Sequence, residues 1–557
     1  MTRQKIGLAL LISILVTAPI LALNFLGYQL FGWPFIPYEL FNWVARELPG
    51  PVVTFGIDLM IDTLRLLNLN VVDVAKTAER GMAVMQLGGA IIVAGAVLSL
   101  LLARWGRKQP ALVGLLIGLL VGLPVLGAII SVSNRDPYPV ANIAIILGLT
   151  LAWGLLISWS YQRAMRPEEQ LAMPAPETTA PEVTAPAASA TTLNRRQFLV
   201  TLGAASAVIT VAGSGVAASL ASAERRRQEA QLAAALAAGG GSATTTGGGV
   251  PFPNANDPLI PAPGTRLEYT PLADHYQVFL STEPSIIEEE DWQLTITGLI
   301  DNPMQLTLQE LKDNYEKVGQ FVTLTCISGR VGTGLISTTH WGGLRVSDLL
   351  ADLGVQPEAK YMHIRSADGF YETVDLELVA SEPRLLLAYE WDGIPIPKDH
   401  GFPLRIWIPD RYGMKQPKWI TDIEITDEYI PGYWVERNWD EVAQVRTTSV
   451  IDTVAASTPL EERGQTLLPV GGIAYAGARG ISKVEVRVDG GEWQPAQLRQ
   501  PLSETTWVIW RFDWPFSAGQ HLFEVRTAEA DGTPQIEETM RNRPSGATGI
   551  HSYEASL

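Results

Sequence analysis

The stretch Thr323-Leu-Thr-Cys326-Ile-Ser-Gly-Arg330, followed by Gly332, Gly334 and Trp341-Gly-Gly-Leu-Arg345, is the part of the chain from which the rest is read. Phe321-Val-Thr-Leu-Thr325 predicts a strand that stops just before a thiol, and the thiol enters a Gly-rich loop. A cysteine placed so can point outward and meet a soft metal as thiolate. It is the single cysteine of 557 residues, so no intramolecular disulfide can form. By base rate a lone cysteine is more often a small buried hydrophobe, by about two to one.

Two later blocks bear on that choice. They read Asp392-Gly-Ile-Pro-Ile-Pro-Lys-Asp-His400-Gly-Phe-Pro-Leu-Arg405 and Pro409-Asp-Arg-Tyr-Gly413-Met-Lys-Gln-Pro-Lys418-Trp419. His400, Arg405, Lys415 and Lys418 make a positive cluster in an acidic chain, suited to a phosphate or another anion. The plainer reading is solvated surface charge, which the many Pro, Gly and aromatic neighbours oppose.

Taken together, the blocks resemble the molybdopterin-binding domain of the sulfite oxidase family. There a strand-end Cys precedes a Gly-rich loop and a Trp-x-Gly helix start, followed in this order by His-Gly-x-Pro-x-Arg and Tyr-Gly-x-Lys-x-x-Lys-Trp. The resemblance runs from about His275 to the C-terminus, because family members carry a β-sandwich after the cofactor domain. It implies a Mo-molybdopterin cofactor with Cys326 as metal ligand; Arg330, the one Arg of the loop that follows, is the candidate second catalytic residue, placed to orient an anionic substrate. It further implies that Asp368, His400, Arg405, Gln416, Pro417 and Lys418 contact the pterin and its phosphate, with Ser281 and Thr282 on a covering loop.

Two departures bear on the substrate. Sulfite oxidases place an Asn and two Args after the Cys, whereas this loop is Ile327-Ser-Gly-Arg330; near the family's substrate-site Tyr stands Trp439. Sulfite is a dianion and wants several cations. The expectation is therefore two-electron oxygen-atom transfer on a small substrate, with S- or N-oxide reduction favoured and sulfite oxidation as the alternative. A non-catalytic membrane-tethered binding or sensor protein on the same fold is the rival from another class, and Cys326 in its place speaks against it. No fused haem domain is expected either, so the electrons are expected to pass through a separate electron-transfer protein or membrane redox partner.

Composition organises the remainder. Mean hydropathy is +0.13 although 18% of residues are charged, because nearly all long apolar runs lie before residue 225. A net charge of −17 argues against a nucleic-acid partner. Residues 6–27, 82–102, 111–130, 141–160 and 198–221 are each long and apolar enough to span a bilayer. The run 52–74 is interrupted by Asp58, Asp62, Arg65 and Asp73 and reads as an amphipathic surface helix. Arg3, Lys5, Arg104, Arg107, Lys108, Arg163 and Arg166 place the N-terminus in the cytoplasm and the catalytic part outside, opposed by Arg225-Arg226-Arg227. Arg195-Arg196 before the fifth run resembles a twin-arginine signal. All six histidines (His275, His340, His363, His400, His521, His551) follow the apolar part, so no haem held by His pairs is expected there.

The expected architecture is an all-α transmembrane bundle with four spans in 1–165, a Pro/Ala/Thr-rich linker in 166–194 and the fifth span in 195–223. A flexible Ala/Gly-rich linker follows in 224–262 and an α+β molybdopterin-binding domain in 263–440. Val484-Glu-Val-Arg-Val-Asp-Gly-Gly-Glu-Trp493 alternates into an Asp-Gly turn, and with its neighbours predicts an immunoglobulin-like sandwich in 441–545, able to form a homodimer. Short helices are expected from the Thr307 cap and over 344–353.

Overall fold

The computed structural model describes residues 3–53, 55–56, 59, 63, 71–133, 138–165, 194–238 and 244–557. The chain divides into two compact units, Met1–Leu48 with Ala75–Glu229, and Pro49–Val74 with Ala230–Leu557.

The first unit is helical. Among the described residues, five helices are long and apolar enough to cross a membrane: Arg3–Phe31, Lys76–Leu101, Pro110–Ser131, Val140–Met165 and Arg195–Ala235. Leu8, Ile12, Val16, Ile117, Trp153 and Ile157 fill its interior, and Trp153 Nε1 donates to Thr17 Oγ1 at 2.9 Å. Pro110–Ser131 and Val140–Met165 approach backbone to backbone, since a Cβ at Gly118 would lie 2.7 Å from the Leu151 Cα. Most of 52–74 and all of 166–193 lie outside the described residues. The helix that begins at Arg195 continues to Ala238, past the boundary expected at 223. The reason is local: 224–238 is rich in Ala, Glu, Arg, Gln and Leu, all strong helix formers.

Among the described residues the second unit holds four sheets. In the first, the strand order is Met304–Leu306, Leu294–Gly298, Ile420–Thr426, Tyr361–Ser366, Tyr371–Asp375. The second runs Val318–Thr325, Ile336–Arg345, Leu386–Trp391, Ile394–Pro395, with Arg405–Trp407 also on Leu386–Trp391. A shared core of Leu294, Ile296, Leu344, Leu387, Ile406 and Ile423 joins them. Val318–Thr325 pairs with Ile336–Arg345 up to Thr325↔Ile336, and the Cys326 N–H closes the ladder on Leu335 O at 3.0 Å. The thiol thus sits at the end of a fixed strand, where its loop departs. The helix expected over 344–353 begins only at Val346, because Leu344 and Arg345 pair with Leu387 and Leu386. The Thr307 cap behaves as expected, forming a full capping box with Glu310.

The C-terminal part has two sheets, Thr448–Val454, Gln465–Tyr475, Val508–Pro515, Gln497–Leu498 and Gln494–Pro495, Ile481–Val488, Gln520–Glu529, His551–Ser556. Val470, Trp510 and Phe512 from one pack with Val484, Val486, Phe523 and Val525 from the other. Asp489 and Gly490 both take positive φ (53° and 69°), as the Asp-Gly hairpin signal predicts. The chain from Thr244 onward is pinned rather than loose: Arg499 donates to Leu259 O and to Glu268 at 2.9 Å each, and Phe252 lies 5.8 Å from Tyr269.

Candidate active site

Cys326 is half-buried at the floor of a pocket. Its Sγ lies 3.0 Å from Ser328 Oγ. Burial pushes the thiol up, while the Ser328 hydroxyl and the charge of Lys418 pull it back. The pocket walls come from three places: the loop carrying Arg330, the turn carrying Tyr412, and the C-terminal part, which supplies Arg446 just before its first strand and Thr448, Ile473 and Tyr475 from the sheet itself. Arg330 is exposed. Arg446 is half-buried, with its N–H donated to Tyr412 Oη at 3.1 Å and Nε donated to Ser545 O at 3.1 Å. Nothing in the local sequence around Arg446 marks it as a pocket residue; the register of distant strands brings it there. Neither His340, which packs against Phe321, nor Arg365, which pairs with Glu424, is among the lining residues. Trp439 belongs to the core beside the pocket, with Ile327, Tyr412 and Met414.

A second cluster lies on the side of Cys326 where Lys418 acts. His275 and His400 meet at right angles, ring centroids 5.4 Å apart, and both rings stand edge-on to Trp391. Burial holds both imidazoles well below their ordinary range, and the charges of Arg405 and Lys418 act in the same direction. Both are therefore neutral. Arg405 is 3% exposed. Its Nη1 donates to His400 O at 2.9 Å, its guanidinium stacks 4.2 Å over Trp341, and burial lowers it to about 10. Among the described residues it has no carboxylate partner. Lys418 Nζ donates to Val278 O at 2.7 Å on the loop that leads to Ser281 and Thr282, both buried. Gly401 allows this approach, because its φ of +117° excludes a side chain and a Cβ there would press on Lys418.

Gln416 is buried, its Nε2 bound to Arg411 O at 2.9 Å; Pro417 O accepts from Ile406 N at 3.1 Å. Asp368 is buried on the turn before Tyr371–Asp375 and accepts from Phe370 N at 3.0 Å. His400, Arg405 and Lys418 thus share one electrostatic neighbourhood, joined by His275, which motif reading passed over. Lys415 does not join them. Its ammonium is 2.6 Å from Glu372 and both side chains are buried, so it adds no net charge to the cluster expected from sequence.

The arrangement fits a large polar anionic ligand. His275 Nε2, Arg405 Nε, Gln416 Oε1 and Ser366 Oγ are all buried without a hydrogen-bond partner, a costly state for a polar group unless a ligand meets it. Among the described residues no three His, Cys, Asp or Glu side chains come together to hold a metal alone. A metal at Cys326 would therefore bring its own donors, as molybdopterin does.

Comparison with known proteins agrees. The oxidoreductase molybdopterin binding domain model matches residues 281–434. An uncharacterized oxidoreductase, YuiH, of Bacillus subtilis (strain 168) is 34% identical over 149 residues, covering 26% of this chain and 71% of that protein. Mitochondrial sulfite oxidase of Macaca fascicularis is 28% identical over 283 residues, 43% of this chain and 52% of that protein. A nitrate reductase [NADPH] of Fusarium oxysporum is 28% identical over 323 residues, 46% of this chain and 35% of that protein. The chain thus spans about half the length of that sulfite oxidase or less of such relatives. With a strand-end cysteine, a buried cationic cluster and these relatives, the chain belongs to the sulfite oxidase family of molybdopterin-dependent oxidoreductases.

Proposed function

We propose that the chain is a membrane-anchored enzyme of two-electron oxygen-atom transfer that reduces a small S- or N-oxide in preference to oxidising sulfite. The molybdenum cofactor, when bound, supplies the two-electron centre at which oxygen is exchanged. Cys326 would hold the metal as a thiolate. His400, Arg405, Gln416, Pro417, Lys418 and Asp368 would hold the pterin and its phosphate, with Ser281 and Thr282 above it. Arg330 makes no hydrogen bond or ion pair through its guanidinium among the described residues, so it is available to grip a monoanion with two bonds or to polarise an S=O group.

The observation that carries this reading is the pocket over Cys326, whose charged lining residues are Arg330 and Arg446 and whose remaining wall includes Leu335, Ile336, Val450 and Ile473. Two cations beside an apolar wall suit an organic oxide better than a compact dianion. Sulfite oxidation is the second reading, and Arg446 favours it by adding a cation that the loop sequence does not reveal. Relatives named for sulfite oxidation and nitrate reduction represent the two directions.

The five apolar helices would anchor the enzyme in the cell membrane, N-terminus in the cytoplasm and catalytic part outside. Electrons would pass through a separate protein or a membrane redox partner. The paired C-terminal sheets fit an immunoglobulin-like sandwich and a homodimer surface, with 263–440 as the catalytic domain before them. Steady-state assays of both directions on one preparation test the substrate reading. Faster reduction of sulfoxides or N-oxides by an artificial donor is expected; sulfite turnover at low KM with no oxide reduction would overturn it.

A further inference from the structure

Lys415 is the one cation of the Tyr-Gly-x-Lys-x-x-Lys block that faces away from the cationic cluster into protein. Its Nζ lies 2.6 Å from Glu372 Oε1, with side-chain exposures of 8% and 0%. Glu372 sits on Tyr371–Asp375, the edge strand of its sheet, immediately after the turn that carries Asp368. The same carboxylate oxygen accepts from Thr373 N at 2.8 Å. Its other oxygen is buried without a partner. Gly432 crosses directly above, where a Cβ would lie 2.1 Å from that carboxylate, so the pair is roofed as well as floored. On the other side, Lys415 begins the run whose next residues are Gln416, Pro417 and Lys418, each tied back to the domain.

Such a pair is a poor means of adding stability. Desolvating two charges costs several kcal/mol per ion, and well-packed apolar replacements are often neutral or better. What the pair supplies is a fixed distance between two segments.

We propose that Lys415 and Glu372 are positioning residues that lock the Asp368 turn to the Gln416–Lys418 run, so that both present their polar groups to one bound cofactor. This rests on the reading that Asp368, Gln416 and Lys418 contact the molybdenum cofactor. Lys415 and Glu372, buried against each other, would act through those residues rather than by touching it.

The test uses the full chain in detergent and reads two quantities: the melting temperature, and the rate at which molybdenum leaves the protein on warming. In the double variant Glu372→Met with Lys415→Met, melting stays within a few degrees of the parent while molybdenum leaves at least about tenfold faster, the usual size for an outer-shell support. Release at the parental rate overturns the proposal. So does a melting temperature that falls in step with release, because the pair would then act through stability alone. If the double variant fails to fold, Glu372→Gln, which keeps the volume and an acceptor oxygen, must still release molybdenum faster, and an unchanged rate overturns the proposal. Lys418→Ala and Asp368→Asn test the underlying contacts separately. Unchanged release in those two removes the contact reading; faster release there with parental release in the double variant removes only the role of the pair.

Discussion

Replacing Arg405 by Met should stabilise the cofactor-free protein and weaken cofactor retention, two effects of opposite sign. Arg405 is a cation at 3% exposure without a carboxylate partner among the described residues. Burial lowers it from the ordinary guanidinium range to about 10, which corresponds to roughly 3 kcal/mol at about 1.36 kcal/mol per pH unit. Removing the charge relieves that cost. It also removes the hydrogen bond to His400 O, about 1 kcal/mol, and the stacking on Trp341, again about 1 kcal/mol. The balance is a gain of about 1 kcal/mol, or about 2–4 °C in Tm. In the loaded protein the same change deletes a charged contact to the cofactor, about 1.5–3 kcal/mol, hence about 10- to 100-fold weaker retention. Protein made in a host unable to synthesise molybdopterin gives the first quantity by calorimetry. Metal analysis after gel filtration of loaded protein gives the second. A cofactor-free variant less stable than its parent, or a loaded variant that keeps its molybdenum, would refute the reasoning.

Two further outcomes are expected. Burial lifts the Asp392 carboxyl to about 6 from 3.8, while Tyr269 hydrogen-bonds to it. A raised carboxyl value means that the folded state keeps a proton the unfolded chain loses, so the penalty grows between about pH 4 and 6 and is complete above. Asp392→Asn, which tolerates the positive φ of 54°, should therefore match the parent near pH 4 and exceed it by up to about 3 kcal/mol at pH 7; a difference that does not change with pH refutes this. A reporter fused at Leu557 should be active only outside the cytoplasm, and cytoplasmic activity would reverse the proposed topology.

Much of the site could be read from the chain because its parts are local. A strand that ends at Cys326 and a Gly that admits Lys418 are set within a few residues, as are the Thr307 cap and the Asp489-Gly490 turn. What escaped depends on tertiary register. Arg446 reaches the pocket only because Thr448–Val454 pairs with Gln465–Tyr475 and brings that end of the C-terminal part over the Cys326 loop. Lys415 read as one more cation because its partner lies 43 residues earlier, on the strand Tyr371–Asp375. Leu344 and Arg345 carry a helical pattern, yet cross-strand pairing holds them in a strand. His275 lies outside any quoted motif, and only its buried contact with His400 and Trp391 marks it.

The central claim is that Cys326 binds molybdenum as a thiolate within the cofactor site. X-ray absorption at the molybdenum edge, on the full chain and on Cys326→Ser, measures it directly. The account predicts that the variant folds with its parental melting temperature and loses a single sulfur neighbour from the metal; an unchanged sulfur shell, or no molybdenum in the parent protein, would contradict it.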